Sequence, residues 1–241
     1  MRNKLFAVLL TAAVYVQASG PLDVYICAGQ SNMAGAAVPE ELPPELQGPY
    51  KEILMFSGNE WVPLQTGKRV GPEISFAVEM QKKLNRPVGI IKLALGGKNL
   101  AKDWNPALPQ SLYAQLKQMV DAAGKARDIR IAGMIWMQGE NDSRYPDMAT
   151  AYSQNLTNLI LTARTDFNSP SMLFVAGRVN PPVNKYPSSS VVRAAQETCT
   201  VPLYAFIDCD DLTKNADNLH YDAAGLVEMG RRFSQSILNL Q

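Results

Sequence analysis

The stretch Val24-Tyr25-Ile26-Cys27-Ala28-Gly29-Gln30-Ser31-Asn32-Met33-Ala34-Gly35 decides how the rest of the chain is read. A short apolar run of strand type stops on Gly29, and Ser31 follows among small and polar residues. A serine so placed stands at the carboxyl end of a buried strand, in the crevice where open α/β sheets bind ligands. The glycine permits the tight turn that precedes it. Serines after strands also serve as plain turn or cap residues. The weight of Ser31 therefore depends on what else the chain brings to the same edge.

Working outward, Val88 to Leu95 is a nearly continuous apolar run that stops at Gly96-Gly97, and Ile131 to Met137 is another that ends in Gln138-Gly139-Glu140-Asn141-Asp142. Met172 to Val179 and Leu203 to Cys209 complete the set of buried strands. Between them, apolar residues recur at helical spacing over Pro72–Leu84, Ser111–Ala126, Met148–Arg164, Ser188–Thr198 and Ala223–Leu238. Ile53 to Phe56 and Trp61 to Leu64, around Ser57-Gly58-Asn59, suit a small hairpin. Strands alternating with helices imply a mostly parallel sheet covered on both faces, a three-layer α/β/α sandwich. Every chemically interesting stretch follows a strand, so all of them meet at one edge.

Length and charge bound the function. The chain has 241 residues and a formal net charge of +1, which suits one domain over residues 21–241 and gives no electrostatic footprint for nucleic acid. Arg2 and Lys4 precede an apolar run from Leu5 to Val16, with small residues at Ala18, Ser19 and Gly20. That pattern predicts a secretory signal peptide over residues 1–18, cleaved near 18–20, rather than a stable membrane anchor. An exported chain with Cys27, Cys199 and Cys209 has room for one disulfide; Cys199 and Cys209 are the candidate pair, leaving Cys27 buried and free. The cysteine spacing is no zinc pattern, and one histidine makes a poor metal site.

That one histidine, His220, closes the run Asp217-Asn218-Leu219-His220 between the last strand and the last helix. A histidine serving as base for a serine needs a carboxylate on its other nitrogen. Asp217 can fold back across a single turn to supply it; Asp210, Asp211 and Asp222 are the alternatives. Gly96-Gly97 lets backbone N–H groups approach a ligand, as an oxyanion hole requires, and Gln138 could add a side-chain amide. Glu140 and Asp142 could form a glycosidase-like carboxylate pair, or order a turn, or pair with Arg144. Gln30, Asn32, Lys98, Glu140 and Trp104 are the candidate substrate contacts, with Tyr145 also flanking these loops.

Gly29-Gln30-Ser31-Asn32-Met33, Gly96-Gly97, Gln138-Gly139-Glu140-Asn141-Asp142 and Asp217-Asn218-Leu219-His220 resemble, in that order, the blocks of the SGNH hydrolase superfamily. The nearer resemblance is to its sialate O-acetylesterase-like branch and to family 6 acetylxylan esterases, which Val192-Arg193-Ala194-Ala195-Gln196 also matches. The resemblance implies a flavodoxin-like core of five parallel strands, no metal and no organic cofactor. It implies removal of O-acetyl groups from an acetylated carbohydrate, with Ser31 as nucleophile, His220 as base and Asp217 as orienting acid. The implied oxyanion donors are the Ser31 and Gly97 N–H groups and the Gln138 side chain. Lys98 departs from the Ser or Thr usual after the paired glycines. Gly139-Glu140-Asn141-Asp142 also spells the wider superfamily's oxyanion block, which makes Asn141 the alternative donor. A broader esterase and a non-catalytic sugar-binding relative are the competing functional readings.

Overall fold

The computed structural model describes residues 20–241. The expected signal peptide, residues 1–18, lies outside the described residues. Seven strands form one sheet: β1 (Leu22–Gly29), β2 (Ile53–Ser57), β3 (Glu60–Pro63), β4 (Val88–Ala94), β5 (Ile129–Met137), β6 (Leu173–Gly177) and β7 (Tyr204–Ile207). Their order is β3-β2-β4-β1-β5-β6-β7. The middle of β4, β1 and β5 is fully buried, which is why these strands read as unbroken apolar runs rather than alternating ones. The five strands β4-β1-β5-β6-β7 run parallel in the flavodoxin-like order.

The expected hairpin forms and joins the main sheet. β2 pairs parallel to β4 (Ile53↔Val88 to Met55↔Ile90), and β3 pairs antiparallel to β2, so the sheet has seven strands instead of five. The reason is the free edge of β4, whose N–H and C=O groups would otherwise go unpaired beside buried Ile53 and Phe56.

The helices are α1 (Ser31–Ala34), α2 (Glu73–Leu84), α3 (Leu112–Ala126), α4 (Pro146–Asp166), α5 (Ser189–Glu197) and α6 (Ala223–Asn239). α2 packs with α6 over one face, with Ser75 Oγ donating to the Val227 carbonyl at 2.8 Å. α3, α4 and α5 cover the other face, where Tyr113 of α3 donates to Asp166 of α4 at 2.8 Å. None of the helices among the described residues is long and apolar enough to cross a membrane.

The candidate disulfide does not form: Cys27, Cys199 and Cys209 are all free. Cys199 precedes β7 and Cys209 follows it, so the strand between them carries the sulfurs towards opposite ends of the sheet.

Chain direction sets up the edge. From β1 the chain goes to β4 on one side and then crosses to β5 on the other, leaving a crevice beyond the carboxyl ends of β4, β1 and β5. Gly29 closes β1 there with φ of 148°, and a Cβ on it would stand 2.1 Å from the Met137 carbonyl oxygen. Gln30 N–H then donates to that oxygen at 2.9 Å, locking the nucleophile turn to β5. Gly29→Ala is therefore expected to force β1 and β5 apart and leave little soluble protein. Recovery of folded variant with a wild-type melting temperature would remove this constraint.

Candidate active site

Ser31 opens α1 at this edge and is partly exposed. Its Oγ makes no hydrogen bond with any described residue, so the hydroxyl is unencumbered. The paired glycines lie beside it: a Cβ on Gly96 would touch the Ser31 Cβ at 3.6 Å, while the space next to Gly97, at φ of 69°, is open. Neither the Ser31 nor the Gly97 N–H donates to any described residue, so both remain available as donors.

The Gly97 turn is held from behind. Asp142, fully buried, accepts from the Leu100 N–H at 2.9 Å, from the Ala101 N–H at 3.2 Å and from the Gln138 amide at 2.6 Å. Burial raises its carboxyl above the ordinary range, and these donors offset only part of that. The pairing with Arg144 considered from sequence does not form; Arg144 instead donates to the Tyr186 hydroxyl at 2.8 Å. Nor do Glu140 and Asp142 make a catalytic pair, because both are sealed from solvent.

The base loop resolves the choice among four aspartates. Arg193 holds Asp210 with two contacts of 2.7 Å, and Arg232 holds Asp211 at 2.6 and 2.7 Å. Asp222 caps α6, accepting from the Gly225 N–H at 2.8 Å. Only Asp217 reaches the imidazole, its Oδ2 standing 2.6 Å from His220 Nδ1. Its Oδ1 accepts from the N–H groups of Leu219 and His220, each at 2.9 Å. Partial burial would raise the Asp217 carboxyl, but these N–H groups and the ring outweigh it and hold it down at about 2. Asn218 makes so tight a fold-back possible by taking the left-handed conformation, φ 55°, which asparagine tolerates better than most residues. With Nδ1 committed to Asp217, Nε2 is the nitrogen left for chemistry; that tautomer follows from the bonding partners.

Several expected substrate contacts turn out to be internal. Gln30 is 3% exposed, Asn32 2%, Glu140 1% and Trp104 0%. Gln30 Oε1 accepts from the Asn141 N–H at 3.3 Å, and Trp104 stacks edge-on against Trp136 at 5.1 Å. Side chains this deeply buried pack within the protein and do not line its surface. Lys98 is the exception: its side chain is 41% exposed and pairs with Asp103 at 3.1 Å.

Gln138 is likewise fully buried. Its amide donates to Asp142 and, at 3.0 Å, to the Lys98 carbonyl, which uses both its hydrogens inside the protein. Asn141 lies further along the same loop and keeps partial exposure; one of its amide hydrogens goes to the Gly97 carbonyl at 2.6 Å. Of the two candidate amides, that of Gln138 lies inside the protein and that of Asn141 at the surface. Sequence reading also passed over Gln196, whose amide donates to the Gln138 carbonyl at 3.1 Å and whose oxygen accepts from the Val179 N–H at 3.0 Å. Its place in the Val192–Gln196 motif was the available signal.

A doubly wound sheet with a free serine, paired glycines and an Asp-His pair on one edge defines a hydrolase of carboxylic esters of the SGNH type. Within that class the chain belongs to the family described as carbohydrate esterase, sialic acid-specific acetylesterase, which matches residues 21–239. A probable carbohydrate esterase of Arabidopsis thaliana is 27% identical over 245 residues, covering 91% of each chain. A solved Arabidopsis thaliana structure matches with a TM-score of 0.80 at 26% identity, over 91% of this chain and 98% of that one. NanS shares the fold with a TM-score of 0.72 at 17% identity, covering 91% of this chain and 97% of its own. A carbohydrate acetylesterase from Xanthomonas citri gives 0.71 at 18% identity, over 90% of this chain and 56% of that one.

Proposed function

We propose that the protein removes O-acetyl groups from carbohydrates of the acetylxylan or sialate type through Ser31, His220 and Asp217. His220 Nε2 takes the Ser31 proton as Oγ attacks the acetyl carbonyl, and the carbonyl oxygen becomes an oxyanion. The Ser31 and Gly97 N–H groups and the second Asn141 amide hydrogen receive that charge. His220 then protonates the departing sugar alkoxide, and water, deprotonated by the same imidazole, releases acetate. The observation that carries this reading is the Asp217–His220 contact of 2.6 Å, made while Asp210, Asp211 and Asp222 are all engaged elsewhere. A groove of about 350 Å³ beside the Gly97 turn, where exposed Leu95 and Leu108 stand near Lys98 and Lys102, suits the mixed faces of a sugar. Acetate release from a panel of acetylated glycans tests the reading. Hydrolysis of p-nitrophenyl acetate with no release from any glycan would move the protein to the broader esterases. We also place its action outside the cytoplasm, on the leader-like first eighteen residues. The amino-terminal sequence of exported protein tests that.

Asn141→Ala is expected to lower kcat by about 10²–10³-fold with little change in KM, because an oxyanion donor acts mainly in the transition state. Gln138→Ala is expected to give a mixed effect and a lower melting temperature, since it unpins Asp142 and Lys98. Steady-state kinetics on one acetyl ester decide it: a pure kcat loss in Gln138→Ala beside a mild effect in Asn141→Ala reverses the assignment.

A further inference from the structure

The Asp217–His220 contact lies within one turn. It fixes the imidazole inside its own loop but does nothing to place that loop over Ser31, which is far away in sequence. Among the described residues, one side chain hydrogen-bonds the two segments together, and it is Asn32, the neighbour of Ser31. Its Nδ2 donates to the Leu219 carbonyl at 3.2 Å, and its Oδ1 accepts from the Tyr221 N–H at 3.2 Å. Those peptide groups flank His220 on either side. The second Nδ2 hydrogen goes to Glu140 Oε1 at 2.7 Å. Glu140 comes from the β5 loop and is 1% exposed, and its Oε2 has no hydrogen-bond partner among the described residues. An acceptor on one side and a carbonyl and an N–H on the other allow the Asn32 amide one orientation only.

We propose that Asn32 and Glu140 are positioning residues: Asn32 clamps the backbone on both sides of His220, and Glu140 keeps the clamp the right way round. The inference rests on the reading of Ser31 and His220 as nucleophile and base. Neither residue touches the substrate, so their loss acts on the approach of His220 to Ser31 and not on binding. A misplacement near one ångström at a reacting pair costs on the order of 10² in rate. Glu140 is buried with one oxygen bonded to Asn32 and the other unpartnered, an arrangement that costs stability.

The test uses near-isosteric variants, which preserve packing. Asn32→Asp keeps the acceptor for Tyr221 but loses both donors and faces Glu140 with a second carboxyl. Its kcat on an acetyl ester is expected to fall about 10²-fold with KM within about threefold. Glu140→Gln retains an acceptor for Asn32 and is expected to stay within about threefold of wild type, whereas Glu140→Leu falls like Asn32→Asp. The double variant Asn32→Asp, Glu140→Gln restores a donor–acceptor pair in reverse and is expected to recover about tenfold of the loss. Ser75→Ala removes a buried hydrogen bond at the α2–α6 contact and serves as control: a lower melting temperature with unchanged kcat. Folded Asn32→Asp with wild-type kcat overturns the clamp, and so does a rise in KM at constant kcat, which would make Asn32 a substrate contact. An additive double variant removes the role of Glu140. Ser31→Ala run in parallel separates the two levels. If it stays active, the triad and the clamp both fall. If it is dead while Asn32→Asp is normal, the clamp alone falls.

Discussion

Ser31→Ala is expected to lower acetyl-ester turnover by on the order of 10⁴-fold or more while leaving the melting temperature close to wild type. The two halves of that expectation have different origins. In the proposed mechanism turnover collapses because the hydroxyl is the atom that becomes acylated. Stability survives because Oγ makes no hydrogen bond with any described residue, so no buried partner among them is left unpaired. An organophosphate should label wild-type protein at Ser31 alone, read as one added mass on the peptide that contains it. Substantial acetate release by purified Ser31→Ala, or a label elsewhere, would sink the nucleophile assignment.

The second large effect concerns the base. His220 is the only histidine in the chain, so a histidine-directed reagent meets one imidazole. Diethyl pyrocarbonate is expected to abolish activity with one modified histidine per chain, and hydroxylamine to restore it. Asp217→Asn should cost about 10⁴ in kcat by leaving the ring in the wrong tautomer. The sign of the pH effect follows from the depressed carboxyl. Asp217 sits at about 2 in the folded protein, below its ordinary value. Whatever its ionised form contributes is therefore complete above roughly pH 4 and is lost only as pH falls towards 2. Loss of activity well above pH 4 must come from another group than Asp217. A fully carbethoxylated enzyme that still turns over would remove His220 from the mechanism.

The centre of the parallel core was legible because its strands are buried on both faces. Val24–Ala28 and Val88–Ile91 carry their apolar character in every residue, and no partner need be known to read it. The Asp217–His220 pair was legible for a related reason: its geometry is local, closed within one turn. What sequence could not show depends on contacts made at long range. The edge position of β2 beside β4 is one such case. The inward turn of Gln138 is another: it follows from Asp142 and the Lys98 carbonyl closing around its amide, and nothing at position 138 itself announces that. Gln30, Asn32, Glu140 and Trp104 resemble ligand contacts in sequence for the same reason. Polar or aromatic residues at strand ends look alike in sequence whether they face the crevice or the sheet. Their burial decides the matter, and burial belongs to the whole fold.

The three free thiols carry a last consequence. Cys27 and Cys209 are fully buried, Cys199 sits before β7, and no covalent bridge joins any part of the described chain to another. Cohesion among the described residues comes from the packed sheet and its helices, so a reductant finds no bond there to break.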